Sequence, residues 1–273
     1  MQNKIISSLQ DLRYLQWSKI RRSSGTAGSF LKAQETVRRT KWYFKLSDFD
    51  PYEGIIGHEC VNEIIADRLL TLLQIPHVPY QLIHARILID EQEYTTWLCR
   101  SADFKKRGES KLALDTFYQL ERLEKETPLD FCIRQGWGDY IWQMLLIDFL
   151  ILNRDRHGAN MEVLRNREEH TLRLAPLFDQ GLSFYFSAHD ESELAGADPL
   201  ADKKVQCFVG SRSAFENLKL IPEENRVCPA VLSETDRTYL FAGLEEALSP
   251  AYRDAVWNMI WERWNYYESF CHS

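Results

Sequence analysis

Asp155 and Asn160 lie five positions apart in the stretch ILNRDRHGANMEVL, and Asp179 and Gly181 follow in LAPLFDQGLSF. Carboxylate and amide oxygens suit magnesium, and a carboxylate can also orient a hydroxyl for attack on a phosphoryl group. An Asp five residues before an Asn arises about once by chance in a chain of ordinary composition. The pair therefore carries little weight alone, and the following Asp–Gly motif is what indicates a phosphoryl-transfer site.

Phosphoryl transfer also needs a cover for the phosphates and a cation that orients them. Residues 23–33, SSGTAGSFLKA, combine two glycines with small hydroxyl residues, so backbone amides there could approach phosphate oxygens. Lys45 stands in the middle of the predicted strand KWYFKLS, where a charge is unusual unless it points into a cleft. An edge lysine, or one whose stem lies along apolar surface, remains the alternative. Glu59 and Glu63 follow one turn apart on a predicted helix, and either could hold Lys45 in place.

The first hundred residues have the patterns of strands around one helix. The glycine-rich segment predicts a turn between strands, and alternating aromatic residues predict a strand at 41–47. A stripe of apolar residues predicts a helix at 57–73, which prolines then end. Two β-rich segments, 80–90 and 93–100, complete this part.

The rest of the chain is mostly helical by pattern. Helices are predicted from about residue 110, at 129–135, along the apolar run 139–152 and after Ser249. The apolar run is too short to span a bilayer, so it predicts a buried helix that serves as a platform for the loop behind it. Three tryptophans share one face of the final helix and indicate core packing.

Two short strands around a polar turn at 166–170 separate the two acidic motifs. A hairpin of this kind returns the chain to its starting point, so we expect Asp179 to lie beside Asn160. Gly181 would supply the sharp turn after Asp179. Arg154 and His157 are less decisive, because a loop salt bridge and a hydrogen-bonded structural histidine explain them equally well.

Composition describes a globular chain of 273 residues, with 45% hydrophobic residues and six cysteines that form no CxxC pair. Because the N-terminus lacks a secretory apolar core, we expect a cytoplasmic protein with reduced thiols. Residues 1–47 hold ten Lys or Arg against two Asp or Glu, which fits either a solvated basic face or a surface for a polyanion. The remaining residues are acidic overall, which argues against a broad nucleic-acid surface. The sequence contains no basic amphipathic helix that would indicate binding to a membrane.

Four motifs together resemble those of the bacterial HipA-like kinases, a branch of the bilobal protein-kinase superfamily that is distantly similar to phosphatidylinositol kinases. They run in family order: AGSFLK at 27–32, YFKLS at 43–47, RDRHGAN at 154–160 and LAPLFDQG at 174–181. The resemblance covers roughly residues 20–270. It implies an α+β bilobal kinase fold, with a strand-rich N-lobe at residues 1–98 and a larger helical C-lobe at 99–273.

The resemblance implies ATP and magnesium as cofactors and gives the acidic motifs their roles. Asp155 would be the catalytic base or hydroxyl-orienting residue, and Asn160 and Asp179 would be the metal ligands. Gln180 follows Asp179 where conventional protein kinases have phenylalanine, which is typical of the HipA-like branch.

The N-terminal motifs would bind the nucleotide. Lys45 would be the catalytic, phosphate-binding lysine, with Glu63 favoured over Glu59 as its partner, and a hinge at Cys99 to Ser101 would contact adenine. The remaining nucleotide-binding residues would come from the glycine-rich loop and the strand after it: Ser24, Gly25, Gly28, Ser29 and Lys32.

The implied reaction transfers the γ-phosphoryl group of Mg-ATP to a serine or threonine hydroxyl of a protein. Ser23 and Ser24 are candidates for autophosphorylation, which would oppose ATP binding. A lipid or small-molecule kinase and a nucleotide-binding pseudokinase that acts as a binding module are the alternatives. Only about twenty residues precede the glycine-rich loop, whereas HipA-like toxins usually carry an additional N-terminal subdomain that meets the antitoxin. We therefore expect either that the chain has no such toxin role or that a separate small protein supplies the antitoxin-like contact.

Overall fold

The computed structural model describes residues 4–18, 30–50, 52–188, 190–227 and 230–272, and all structural statements refer to these ranges. The chain is mixed α+β, with a strand-rich N-terminal sheet followed by a mostly helical part. The predicted fold class is therefore confirmed. In the part of the chain described, no helix is long and apolar enough to cross a membrane.

The N-terminal part is a five-stranded sheet with one long helix packed on it. Its strands run in the order β1-β6-β7-β3-β2, with β1 and β6 parallel and the other neighbours antiparallel. The helix contacts the sheet on one side and the C-terminal helical part on the other, so its first twelve residues are all buried. The elements are β1 (Ile5–Asp11), β2 (Lys32–Val37), β3 (Thr40–Leu46), β4 (Phe49–Asp50), β5 (Gly54–Ile55), α1 (Glu59–Leu72), β6 (Tyr80–Ile89) and β7 (Gln92–Ala102).

Strand β1 was not predicted from the sequence. It lies at the edge of the sheet and only Ile5 of its seven residues is buried, so the apolar alternation of a half-buried strand is missing. Strand β7 is longer than predicted and continues to Ala102. Residues 99–101, expected at a hinge, thus still pair with β3 and β6.

The C-terminal part is built from helices around a small three-stranded sheet. Its elements are β8 (Glu109–Ala113), α2 (Leu114–Glu121), α3 (Pro128–Arg134), α4 (Gly138–Leu150), β9 (Asp155–Arg156), β10 (Glu162–Asn166), β11 (Thr171–Leu174), β12 (Gln206–Cys207), α5 (Ala214–Leu218), α6 (Asp236–Phe241) and α7 (Pro250–Cys271), with single 3-10 turns at Gly158–Asn160 and Glu223–Asn225. The predicted helices at 129–135, 139–152 and after Ser249 are confirmed by α3, α4 and α7.

The prediction of a helix from about residue 110 is wrong for its first turn. Residues 109–113 form β8, because their backbone pairs with β10 along all five of its residues. The helix begins only at Leu114, whose backbone N–H donates to the carbonyl of Met161 at 2.8 Å. In the three-stranded sheet β11-β10-β8 that results, the loop behind α4 leads directly into the central strand β10.

The main core runs through both parts. Buried residues of α1 and α4 join those of α7, where Trp257 and Trp264 are buried and Trp261 packs against the same cluster. The expectation that these tryptophans pack in the core is confirmed. A smaller second core lies on the opposite face of the N-terminal sheet and includes Phe44 and Leu46 of β3.

Candidate functional site

The loop that carries Asp155 is tied to helix α4 by a buried ion pair. Arg156, 1% exposed, donates from Nε and Nη2 to the two carboxylate oxygens of Asp148, each at 2.8 Å. Asn153 also donates to Asp148, and Arg156 Nη1 donates to the carbonyl of Phe178 at 3.0 Å. Burial alone would lower the pKa of Arg156, but Asp148 outweighs it and raises this pKa. Asp148, the charged residue inside the apolar run, thus fixes the loop through Arg156. Arg156 also holds the carbonyl of Phe178 and so helps to fix the neighbouring residue Asp179.

Asp155 lies at the tip of this platform with one carboxylate oxygen uncommitted. Asn160 Nδ2 donates to its backbone carbonyl at 2.9 Å and to its Oδ2 at 3.3 Å. Within the described residues, the buried Oδ1 accepts no hydrogen bond, and its nearest polar neighbour, His157 Nε2, lies 3.5 Å away. Burial raises the pKa of Asp155, His157 opposes this, and the negative charge of Asp179 adds to it. Asp155 therefore has an oxygen that can accept a hydrogen bond from a hydroxyl, and its carboxylate binds a proton more tightly than an ordinary aspartate does.

His157 has a structural position in the same loop. Its Nδ1 accepts a hydrogen bond from the backbone N–H of Ala159 at 3.1 Å and so caps the one-turn helix that ends at Asn160. In the neutral ring this bond places the proton on Nε2, on the side of Asp155. The sequence offered a hydrogen-bonded structural role for His157, and the structure shows that role.

Lys45 lies between two carboxylates. Its Nζ is 3.1 Å from Glu63 Oε1 and 2.5 Å from Asp179 Oδ1, and Glu63 also accepts the backbone N–H of Gln180 at 2.9 Å. Lys45 is 8% exposed and Glu63 is fully buried. Burial would lower the pKa of Lys45, but Asp179 and Glu63 outweigh it and raise this pKa well above its usual value. The ammonium group is therefore permanently charged in this environment.

The two carboxylates respond differently to the same lysine. Burial would raise the pKa of Asp179, but Lys45 and, behind it, Lys32 outweigh burial and hold this pKa below its ordinary value. For Glu63, burial prevails over the attraction of Lys45 and raises the pKa. Asp179 is thus the stable anion of the pair.

Glu59 does not contact Lys45. Its carboxylate accepts the backbone N–H of Asp48 at 3.2 Å, and burial raises its pKa to about 7. Of the two glutamates one turn apart on α1, only Glu63 points to the lysine.

Gly181 does not act as predicted. The left-handed backbone lies at Asp179 itself, with φ of 59°, whereas a Cβ on Gly181 would come within 3.2 Å of Lys45 Nζ and 3.0 Å of the Glu59 carbonyl. Glycine is needed there because α1 and Lys45 approach closely, rather than for a sharp turn. The prediction identified the residue and missed the reason.

A cavity of about 420 Å³ opens beside Lys45 and is large enough for part of a small-molecule ligand. Lys45 and Asp179 lie in its wall, and so do Lys32, Cys99 and Ser101 from the predicted nucleotide-binding set. Lys32 pairs with Lys45 across strands β2 and β3, and Cys99 pairs with Lys45 across β3 and β7. The structure therefore brings these residues together, although Cys99 itself is fully buried.

Several lining residues were not singled out from the sequence. Lys111 Nζ lies 3.3 Å from Glu162, 3.4 Å from Asp103 and 3.9 Å from the centre of the Phe104 ring. Lys111 belongs to β8, which the sequence pattern assigned to a helix, so its side chain could not be placed in a cavity. The other additions are aromatic or aliphatic: Tyr43, Phe44, Val78, Tyr80 and Phe178.

The glycine-rich loop falls outside the described residues. Ser24, Gly25, Gly28 and Ser29, together with the autophosphorylation candidate Ser23, lie in the range 19–29. Their roles stay predictions. Of the loop motif, Lys32 is the described residue that reaches the cavity.

The comparisons with known proteins add evidence on the fold. No protein-family model matches this chain, and no curated protein does. Among solved structures, the proinflammatory kinase CtkA of Helicobacter pylori is similar over 96% of this chain and 97% of that chain, with a TM-score of 0.63 and 15% identity. The chain has a kinase-like fold. At 15% identity this similarity concerns the arrangement of the helices and strands.

Proposed function

We propose that this chain is a kinase of HipA-like type that transfers the γ-phosphoryl group of Mg-ATP to a serine or threonine hydroxyl of a protein. The observation that carries the proposal is Lys45, held between Glu63 and Asp179 in the wall of a 420 Å³ cavity. A lysine fixed in this way cannot move far or lose its proton, so it offers a preorganised positive charge to phosphate oxygens.

Two residues carry donor atoms that would fit a magnesium ion: Asp179 in the cavity wall and Asn160 beside Asp155. Asn160 uses its amide nitrogen on Asp155, which leaves the amide oxygen as its acceptor, and Asp179 is a carboxylate with a depressed pKa. One carboxylate and one amide oxygen, completed by phosphates and water, form a donor set that magnesium accepts. Asn160 and Asp179 would hold the ion, which when bound neutralises charge on the phosphates.

Asp155 would position the acceptor hydroxyl. Its Oδ1 is free of hydrogen bonds within the described residues, and its raised pKa makes it a better proton acceptor than an exposed aspartate. Asn160 and His157 hold the carboxylate in place on a loop that Arg156 anchors to α4. The hydroxyl proton would pass to this oxygen as the new phosphoester bond forms.

A variant of Asp155 tests the proposal. Asp155→Asn keeps the shape and the contact with Asn160 but removes the proton acceptor, so transfer to a mixture of protein acceptors should fall by about 10²- to 10⁴-fold. ATP affinity should stay within about twofold, because Asp155 does not line the cavity. Radiolabelled transfer and calorimetry on the same preparations measure both. Full transfer by the variant would remove Asp155 from the mechanism, and ATP binding without any transfer by the wild type would favour a pseudokinase.

A further inference from the structure

We infer that four basic side chains beside Asp155 bind an acidic segment of the protein substrate. They are Arg154, Lys203, Lys204 and Arg212, here called the basic acceptor patch. The inference rests on the proposed function and specifies the class of acceptor for the same site.

Backbone hydrogen bonds hold the patch against the loop of Asp155. Strand β12 runs parallel to β9, with Gln206 opposite Asp155, and the N–H of Gln206 donates to the carbonyl of Arg154 at 3.0 Å. Arg154 Nε in turn donates to the carbonyl of Lys204 at 2.5 Å. The N–H of Val205 donates to the carbonyl of Arg212 at 3.0 Å, which closes the segment on itself. Arg154, Lys204 and Arg212 thus belong to one hydrogen-bonded unit next to the proposed hydroxyl-binding carboxylate, and Lys203 directly precedes Lys204 in the chain.

The charge of the patch is uncompensated. Residues 203–212, KKVQCFVGSR, contain three basic and no acidic residues in a chain of net charge −7. Among the described residues, none of the four patch side chains lies within ion-pair distance of a carboxylate. The preceding acid, Asp202, is occupied by the hydroxyl of Ser213 at 2.5 Å and by the N–H of Ala214 at 2.9 Å. A local excess of positive charge in an acidic protein attracts anionic partners.

The nucleotide does not account for this charge. The cations in the wall of the 420 Å³ cavity are Lys32, Lys45 and Lys111, and no patch residue lines it. The patch lies outside the cavity, beside Asp155 along the paired strands β9 and β12. An acceptor hydroxyl flanked by Asp, Glu or phosphorylated residues would place its anionic groups there.

A peptide fits the patch better than a membrane surface does. Membrane attachment through basic residues is strengthened by apolar side chains that enter the bilayer. Between 203 and 212 the apolar residues Val205 and Val209 are buried, and none of the large hydrophobic side chains of this segment is exposed. Lys203, Lys204 and Arg212 are exposed, so each offers a separate donor to the carboxylates of an acidic peptide.

The test uses the full chain loaded with magnesium and a non-hydrolysable ATP analogue, at low salt. Fluorescence anisotropy measures the affinity of two short labelled peptides, each with one central serine, flanked by glutamates in one and by glutamines in the other. The same titration follows the double variant Lys204→Glu with Arg212→Glu. The matched control is Arg165→Glu with Arg167→Glu, which makes the same charge change at exposed arginines of the β10–β11 hairpin.

We expect the glutamate peptide to bind the wild type about three- to tenfold more tightly than the glutamine peptide, since two or three exposed charge contacts each contribute only a fraction of a kcal/mol. The patch variant should lose this preference and the control should keep it. Equal affinities in the wild type, or equal losses in both double variants, would overturn the inference. Binding to phosphatidylserine vesicles that depends on the patch, without any peptide preference, would overturn it in favour of a membrane.

Phosphate transfer from Mg-ATP to the same peptides separates this inference from the proposed function. Patch-dependent peptide binding with no transfer to either peptide would support the basic acceptor patch and contradict the proposed kinase activity. Equal transfer to both peptides, unaffected by the patch variant, would leave the kinase standing and contradict the patch.

Discussion

Two ends of the site hold carboxylates in opposite electrostatic settings. At one end Asp179 contacts Lys45, and its pKa is held below the ordinary value. At the other end Asp155 forms no ion pair with a lysine or arginine among the described residues, and burial raises its pKa. The same residue type is thus a permanent anion in one place and a proton acceptor in the other. Such a separation of pKa values is how one fold assigns different roles to neighbouring carboxyl groups.

The largest expected effect comes from breaking the Lys45 end. Lys45→Met keeps most of the side-chain volume but leaves the buried Glu63 and the half-buried Asp179 without their cation. Transfer should fall by roughly a thousandfold, because the charge aimed at the phosphates is gone. Stability should fall by about 3–5 kcal/mol if the two acids stay ionised.

Lys41→Met is the matched control for this change. Lys41 lies on the same strand, and its Nζ sits over the ring of Tyr43 rather than between carboxylates. Transfer and urea unfolding should both stay close to the wild type. If Lys41→Met lost as much transfer as Lys45→Met, a disturbance of strand β3 would explain both losses, rather than the contacts of Lys45 with Glu63 and Asp179.

A smaller effect separates the two glutamates of α1. Glu63→Gln removes the partner of Lys45 and should lower transfer by tens of fold, because the lysine loses one of its two anchors. Glu59→Gln should lower transfer less than about threefold, since the Glu59 carboxylate accepts from backbone N–H groups, that of Asp48 among them, and not from Lys45. Steady-state transfer rates at saturating ATP provide the comparison. Equal losses would contradict the assignment of Glu63 as the partner.

The smallest expected effect on transfer belongs to Glu59, whose main contribution is a pH dependence of the free energy of unfolding. Its pKa in the folded chain is about 7, against an unfolded value of 4.5, so the folded state binds the extra proton between these limits. Stability contributed by this group is therefore complete below about pH 4.5 and is lost as the pH rises to about 7, by roughly 3 kcal/mol.

Glu59→Gln isolates that contribution. Glutamine mimics the protonated acid, so the variant should lose less stability than the wild type between pH 5 and pH 7.5 in urea unfolding. The difference between the two proteins should grow with pH. A wild type and variant with parallel pH profiles would mean that Glu59 titrates near its ordinary value.

The sequence was most informative where the chemistry is local. Asp155 and Asn160 are five residues apart, and the one-turn helix between them brings their side chains into hydrogen-bond contact. The helical spacing of Glu59 and Glu63 limited the partner of Lys45 to two residues, and the spacing to the HVP stretch at 77–79 favoured the one that is present. Short-range geometry of this kind follows directly from residue spacing.

Features that depend on distant pairing were not accessible. Lys111 and Glu162 meet in the cavity wall because β8 pairs with β10, yet residues 110–122 have the pattern of an amphipathic helix. Strand β1 is polar and lies at an edge, so its pairing with β6 left no periodic signal. The close approach that requires Gly181 is likewise a contact between elements more than a hundred residues apart.

The most direct test is a calorimetric titration of ATP, with and without magnesium, into the wild type and Asp179→Asn. The variant keeps the size of the side chain but removes the anion that contacts Lys45 and would hold the ion. We predict that magnesium tightens ATP binding by at least about tenfold in the wild type and has little effect in the variant. ATP binding that is indifferent to magnesium in the wild type, or no binding at all, would contradict a phosphoryl-transfer site at this position.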